Sequence, residues 1–382
     1  MQKSSKLRYY IEDYWDLFVG IVSIALAFYF HTQGNGGMAT VMSAAGIAIL
    51  SLSVSEVAEI LSGKLQEPYG SFVLTFSAVI VEIVLLYIIL QEALHEPKVI
   101  ETVKGGIISA VIVDMNVLLG LAVFVGGLKF TEQEHNKETS STYTTILLVS
   151  AVALLVPSLL SESAHGTEVI AHASYVIAGV LMIFYVVIVF FQTRTHTHFF
   201  QATARSRMFR LKRKLETAED EEEDEVEYIF ERLPNIVNFI VIFLLIAIIA
   251  IGAEVFAHDG VELANEHGLS AGLTGLIIAL ISVSPEIFTA VRAARNDEIQ
   301  RVVNIAMGAS VVSILITVPV LLILAYAKGI HLMLDFNPLQ IGALIITVIL
   351  AWKSTEEGHT NYFEGLSHLM FFVCYAIIAA YY

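Results

Sequence analysis

Three acidic residues interrupt stretches that otherwise read as continuous hydrocarbon. Glu82 lies in GSFVLTFSAVIVEIVLLYIIL, Glu286 in GLIIALISVSPEIFTAVRAA and Asp114 in ISAVIVDMNVLLG. An ionised carboxylate in such a run costs several kcal/mol unless it is paired, protonated or bound to a metal ion. Acids of this kind therefore suit reversible occupation by a proton or a hard cation. On a helix, Glu82 shares its face with Ser71, Thr75 and Ala78. Glu286 shares its face with Gly275, Ala279, Ser282, Thr289 and Ala293. Small and polar stripes let neighbouring helices close around a polar group. Pro285 cannot donate a backbone hydrogen bond, which frees the carbonyl of Ile281 four residues earlier. Carboxylates and carbonyl oxygens are the ligands Ca²⁺ prefers. Ser282, Ser310, Asn304, Ser313 and Thr317 extend the polar set, although a single serine or threonine in an apolar helix more often serves packing.

Glu59 and Glu254 sit near the ends of apolar stretches, with Glu56 one turn before Glu59. They read as residues that recruit or gate ions, against the plainer reading that acids at span ends simply reach solvent. Glu222 belongs to a run holding ten acids between Glu216 and Glu231. Such a run is commonly a solvated segment, and it can also concentrate cations near a pore mouth. His31, His165, His196, His198 and His359 fall in loops or at span ends and read as solvated.

The elements that must hold these residues follow from composition. The chain has 382 residues, 56% hydrophobic and only 15% charged. Its apolar blocks reach the roughly 20 residues needed to cross a bilayer. Eleven spans are expected, at 15–32, 39–62, 70–91, 103–129, 142–160, 170–192, 235–257, 269–293, 302–327, 337–353 and 362–381. With the N-terminus placed in the cytoplasm, 18 of the 21 Lys and Arg residues fall inside and three, Lys98, Lys104 and Lys328, fall outside. The polar first fifteen residues lack the apolar core of a cleavable signal.

The connection at 193–234 carries a basic, helix-like stretch, RSRMFRLKRK, and then the acidic run. It divides the chain into an N-terminal segment and first span (1–38), a first five-span group (39–192), the linker (193–234) and a second five-span group (235–382). Five is odd, so the second group crosses with opposite orientation, the arithmetic of an inverted repeat in secondary transporters. Corresponding residues recur: Glu59 with Glu254, Glu82–Ile83 with Glu286–Ile287, and Gly105, Gly106, Ser109 and Ala110 with Gly308, Ala309 and Ser310.

Several function classes drop out. The chain has no phosphate-binding G-x-x-x-x-G-K-[ST] loop, no H-E-x-x-H motif and no dinucleotide fingerprint. Coupling energy must then come from an ion gradient. No nucleophile–base pair or metal triad stands out, which disfavours an enzyme. Cys374 is the lone cysteine, so disulfides and thiolate metal sites within the chain are excluded. A basic nucleic-acid footprint is absent from a chain of net charge −16. A gated cation channel with the acids as a selectivity ring is the competing class. Inverted repeats favour alternating access over it, and a conductance measurement separates the two.

The residues also resemble a known family. GKLQEPYGSFVLTFSAVIVEIVLL is similar to the first conserved repeat of the Ca²⁺/cation antiporter superfamily, in its proton-coupled calcium exchanger branch. SVSPEIFTAVRAARNDEIQRVVNIAMGAS resembles the second repeat, and EGHTNYFEGLSHLMFF the start of the last span. The resemblance covers about 50–380. It implies an all-α polytopic membrane protein with one N-terminal helix and two inverted five-helix repeats. It implies that Glu82 and Glu286 are paired carboxylates binding cation or protons, and that the acidic linker is a cytoplasmic acidic helix.

Four places depart from the family pattern. AVIVE and SVSPE stand where Gly-Asn usually precedes the repeat acid. Val312 replaces a usual Gln, and Asp114 a usual Asn. The last change adds an acid, and bacterial members of this branch are associated with Na⁺ and K⁺ as well as Ca²⁺, so monovalent exchange stays in view.

The expectation is thus a secondary transporter in the bacterial inner membrane, exchanging cytoplasmic Ca²⁺ for external protons. Two close carboxylates titrate together, so a divalent ion and protons compete for them. The expected ligand set is Glu82, Glu286, Asp114, Ser282 and Ser310, with no cofactor beyond the transported ion. Inorganic cations, protons and the lipid bilayer are the expected partners, and a homo-oligomer is compatible with the sequence.

Overall fold

A bilayer core offers no water to backbone amides, so apolar segments satisfy their own hydrogen bonds by winding into helices. The computed structural model describes residues 14–65, 69–162, 167–217 and 229–381, and these are almost wholly helical. Among the described residues, ten helices are long and apolar enough to cross a membrane. They are α1 (Trp15–Thr32), α2 (Gly36–Lys64), α4 (Val99–Phe130), α5 (Lys137–Glu162), α6 (Glu168–Thr195), α8 (Asn235–Glu266), α9 (Ala271–Arg295), α10 (Ile299–Ala327), α11 (Pro338–Thr355) and α12 (Tyr362–Tyr381). The expected span 70–91 is occupied by a further helix of 24 residues, α3 (Tyr69–Glu92). The basic stretch after α6 forms α7 (Ala204–Thr217). Most of the acidic run, Glu222 included, lies outside the described residues, as does His165.

Four of the long helices contain a π-turn: Asp114–Leu118 in α4, Phe191–Thr195 at the end of α6, Phe256–Gly260 in α8 and Ser313–Thr317 in α10. A π-turn carries one extra residue and redirects the side chains around it. Through its π-turn α8 continues to Glu266, past the expected end at 257. The polar residues His258, Asp259 and Glu262 suggest a loop in sequence, yet the chain stays helical there.

The chain divides into two compact units, each discontinuous in sequence. The first comprises 1–103 and 226–285, the second 104–225 and 286–382. In the first unit, α1 packs on α2 and α8. Ile24 of α1 lies so near Gly252 of α8 that a Cβ there would sit 2.2 Å from Ile24 Cδ1. Near the start of α1, the buried carboxylate of Asp16 accepts a hydrogen bond from the Ser53 hydroxyl of α2. Lys64 at the end of α2 donates to the carbonyls of Phe230 (3.1 Å) and Leu233 (2.9 Å), just before α8.

In the second unit, α12 lies against the second half of α4. A Cβ on Gly365 would meet the Phe124 backbone nitrogen at 2.3 Å, so only glycine permits this approach. Two short strands, β1 (Glu132–Glu134) and β2 (His359–Asn361), pair antiparallel with Gln133 opposite Thr360. This clip joins the segment after α4 to the segment before α12. Beside it, the buried His135 ring places Nε2 3.2 Å from the Thr355 carbonyl and 3.3 Å from the Ser140 hydroxyl. Burial lowers the His135 pKa to about 4, against a smaller upward pull from the Thr355 carbonyl. The basic helix α7 is tied to the clip through Arg205, 3.1 Å from the Glu134 carboxylate.

Candidate ion-binding residues

In the first unit, Glu82 lies past the middle of α3 and is 7% exposed. It is flanked in sequence by Val81 and Ile83. Ala78, one turn earlier, is half-buried; the side chains of Ser71 and Thr75 lie outside the described residues. Glu56 and Glu59 are half-buried on the last turns of α2. Glu254 is exposed on α8, two residues before the π-turn.

Helix α9 runs unbroken through Pro285. The carbonyl that proline leaves without an amide partner is that of Ile281, and the Ser284 hydroxyl donates to it at 2.8 Å. The expectation of a vacant carbonyl therefore needs correcting: the residue before the proline already satisfies one of its two lone pairs. Ser282 is buried and turns its hydroxyl onto the Ala279 carbonyl of its own helix at 3.0 Å, leaving its oxygen able to accept. One residue beyond the proline, Glu286 is half-buried.

In the second unit, two of the expected ligands meet. Asp114 is 1% exposed at the start of the α4 π-turn. Ser310 of α10, fully buried, donates its hydroxyl hydrogen to Asp114 Oδ2 at 3.1 Å. A hydrogen bond to an ionised oxygen is stronger than a neutral one.

Two residues from Asp114 begins a network that sequence reasoning missed. Asn116 donates through Nδ2 to the Ile112 carbonyl (3.0 Å) and the Thr347 hydroxyl (2.9 Å). A carbonyl only accepts, so the amide orientation is fixed and Oδ1 faces His368 Nδ1 at 3.0 Å. His368 must then carry a hydrogen on Nδ1. Its Nε2 lies 2.8 Å from the Ser354 hydroxyl, which also reaches the Ala351 carbonyl at 3.2 Å. With its hydrogen on Nδ1, the neutral ring accepts from Ser354 at Nε2. Both ring nitrogens are thus held by hydrogen-bond partners. The only sequence signal for it was a histidine inside an apolar run, SHLMFF.

Among the other described histidines expected to be solvated, His198 is exposed, while three have partners or partial burial. His31 is bonded to Asp259 at 2.9 Å. His196 stacks on Phe191 with ring centroids 4.2 Å apart. His359 is half-buried in β2. Only the His31 partner is distant in sequence; those of His196 and His359 lie within five residues.

Comparison with known proteins agrees with this helical, acid-bearing architecture. A Ca²⁺/H⁺ antiporter of Synechocystis sp. is 28% identical over 374 residues, covering 94% of each chain. The sodium-potassium/proton antiporter ChaA of Escherichia coli is 26% identical over 333 residues, 86% of this chain and 85% of that one. The solved structure of native YfkE superposes with a TM-score of 0.76 at 20% identity, covering 96% of this chain and all of that one, and shows a shared fold. The relatives are transporters rather than enzymes, and the motif resemblance is borne out. The model of the sodium/calcium exchanger protein family matches residues 36–194 and 237–381, most of the sequence, and the chain belongs to that family.

Proposed function

We propose that this chain is a Ca²⁺/H⁺ antiporter in which Glu82 and Glu286 take up cation or protons competitively. The observation that carries the reading is acidic side chains on long apolar helices, Glu82 and Asp114 deeply buried, in a chain of the exchanger family. A buried carboxylate is tolerated when neutralised, and divalent cations and protons both do so. Occupation by one expels the other, which couples the two fluxes. Ser282 supplies a neutral oxygen beside Glu286, and Asp114 with Ser310 a further acid and hydroxyl. Glu59, Glu56 and Glu254 recruit or gate ions near the span ends, and the acidic linker around Glu222 raises local cation concentration.

An eleven-span arrangement with inverted five-helix repeats and alternating access fits the same reading. Its support is the recurrence of motifs between the halves and the π-turns in α4 and α10, the third helix of each half. The Lys and Arg asymmetry supports a cytoplasmic N-terminus in the plasma membrane.

A second reading, Na⁺ or K⁺ exchange for protons, is favoured by two observations. The Escherichia coli relative is described as a sodium-potassium/proton antiporter, and Asp114 adds an acid. Everted membrane vesicles holding the chain, energised with a proton gradient, test both. Ca²⁺ addition should dissipate the gradient and drive ⁴⁵Ca²⁺ uptake. A gradient that responds to Na⁺ or K⁺ but not to Ca²⁺ selects the second reading, and cation conductance without proton coupling rejects both.

A further inference from the structure

We propose that His31, His258 and Asp259 form a binding site for a divalent transition-metal ion, with Zn²⁺ as the model ligand. The three residues belong to the first unit, and none of them is among the acids assigned to exchange. Each offers one ligand atom, and the three atoms lie within 4.8 Å of one another. His31 Nδ1 is 3.0 and 2.9 Å from the two Asp259 oxygens, and His258 Nδ1 is 2.9 Å from Asp259 Oδ1. The two imidazoles stand nearly perpendicular, at 83° with centroids 5.4 Å apart.

Adjacent residues of a regular α-helix point about 100° apart and do not normally share a ligand. His258 and Asp259 converge because both fall in the α8 π-turn, Phe256–Gly260. Such turns occur often at functional sites. A His–Asp hydrogen bond fastening α1 to α8 would need only His31 and Asp259. The second imidazole on the same oxygen is what a metal-binding site adds.

The donor set selects the class of ion. Two imidazoles and one carboxylate suit Zn²⁺, Co²⁺ or Ni²⁺, whereas Ca²⁺ takes six or more oxygens. Asp259 is buried and held in place, while the side chains of His31 and His258 are 35% and 58% exposed. The site is therefore firm on one side and open on the other, leaving a coordination position for water. His31 also sits in the last turn of α1, where the helix dipole favours positive charge. A bound ion would fasten the end of α1 to α8.

The test uses the full-length chain purified in detergent. Titration with Zn²⁺ by calorimetry should show one saturable site, and Co²⁺ should give the visible absorption of low-symmetry coordination. His31→Ala, His258→Ala and Asp259→Asn should each weaken Zn²⁺ binding by about tenfold or more, since even outer-shell changes cost that much. A control changing both His196 and His198 to Ala should bind as the parent chain does. Absence of saturable binding in the parent chain overturns the site, as does parent-like binding after either triad histidine is removed. If Asp259→Asn does not fold, the exposed His258→Ala decides alone. Binding is read without transport, so its failure leaves the exchange reading standing, and the reverse also holds.

Discussion

The hydroxyl of Ser310 donates to the carboxylate of Asp114 at 3.1 Å, joining residues 196 positions apart on two helices that each carry a π-turn. That contact holds a buried acid in the second unit, at a position where the family resemblance leads one to expect an amide. We expect Asp114→Asn to weaken Na⁺ or K⁺ exchange more than Ca²⁺ exchange and to shift the pH optimum. If Asp114 shares a site with Glu82 and Glu286, Ca²⁺ leaves one of three negative charges over, which a proton or a monovalent ion fills; the amide removes that place. Ser310→Ala should move the pH profile in the same experiment while retaining exchange. Unchanged ion preference and pH profile in Asp114→Asn would assign the acid to structure alone. Vesicle assays over a pH series with each cation make the comparison.

Glu82→Gln and Glu286→Gln should each abolish exchange while the protein remains folded in the membrane. Gln keeps the size and polarity of Glu but cannot take up a proton or bind a cation as a charged group. Vesicle transport, normalised to folded protein by size-exclusion chromatography, reads the result. Normal exchange in either variant removes that carboxylate from the mechanism.

Deleting residues 216–231 should lower apparent cation affinity and leave maximal exchange nearly intact. Long-range attraction acts on encounter rather than on the bound state, and salt screens it over about 10 Å at 0.1 M. The difference from the parent chain should therefore shrink at high ionic strength. Complete loss of transport with normal expression would place this segment in the core mechanism.

His135 makes the second unit sensitive to acid. Its pKa falls from the ordinary 6.5 to about 4 in the folded chain because burial opposes the charged ring. Between those values the unfolded chain binds a proton that the folded chain refuses. The stabilisation is thus fully present above the unfolded pKa and is lost as pH falls from 6.5 towards 4, by up to about 3 kcal/mol. Melting temperatures of the parent chain and His135→Gln should converge across that window. Parallel curves would mean the ring stays neutral in both states.

Gly365→Ala should destabilise the second unit by about 1–3 kcal/mol, the usual range for overpacking. The added carbon would meet backbone atoms, Phe124 N at 2.3 Å and Gly120 O at 2.6 Å, which cannot rotate aside. Thermal denaturation in detergent measures the loss, and a variant as stable as the parent would contradict this close approach.

Much of the fold was legible because membrane spans are written in composition. The helices lie within a few residues of the expected spans, save where α8 carries the polar residues of a π-turn beyond 257. Glu82 and Asp114 were legible for the same reason, as charges in apolar runs, and both are buried. The Asp114–Ser310 bond was only half legible: both residues stood out, but their pairing depends on how α4 and α10 pack. His368 and Asp259 were missed because their partners, Asn116 and His31, are more than 200 positions away. A histidine at the end of a span reads as solvated until the helix that covers it is known. The Ser284 hydroxyl on the Ile281 carbonyl needed no distant contact, and a serine just before a mid-helix proline was the available signal.

The discontinuity of both units bears on how the chain is made. The first unit needs residues 226–285 to be complete, and the second needs 286–382. The His31–Asp259 contact alone separates its partners by 228 positions. At 5–20 residues per second, synthesis takes roughly 10–45 s to supply the second partner. During that interval α1 and α2 sit in the bilayer with the face that receives Gly252 still uncovered. A polypeptide ending in the linker would contain neither unit whole. Separately expressed N- and C-terminal portions should therefore be short-lived alone and persist only when produced together.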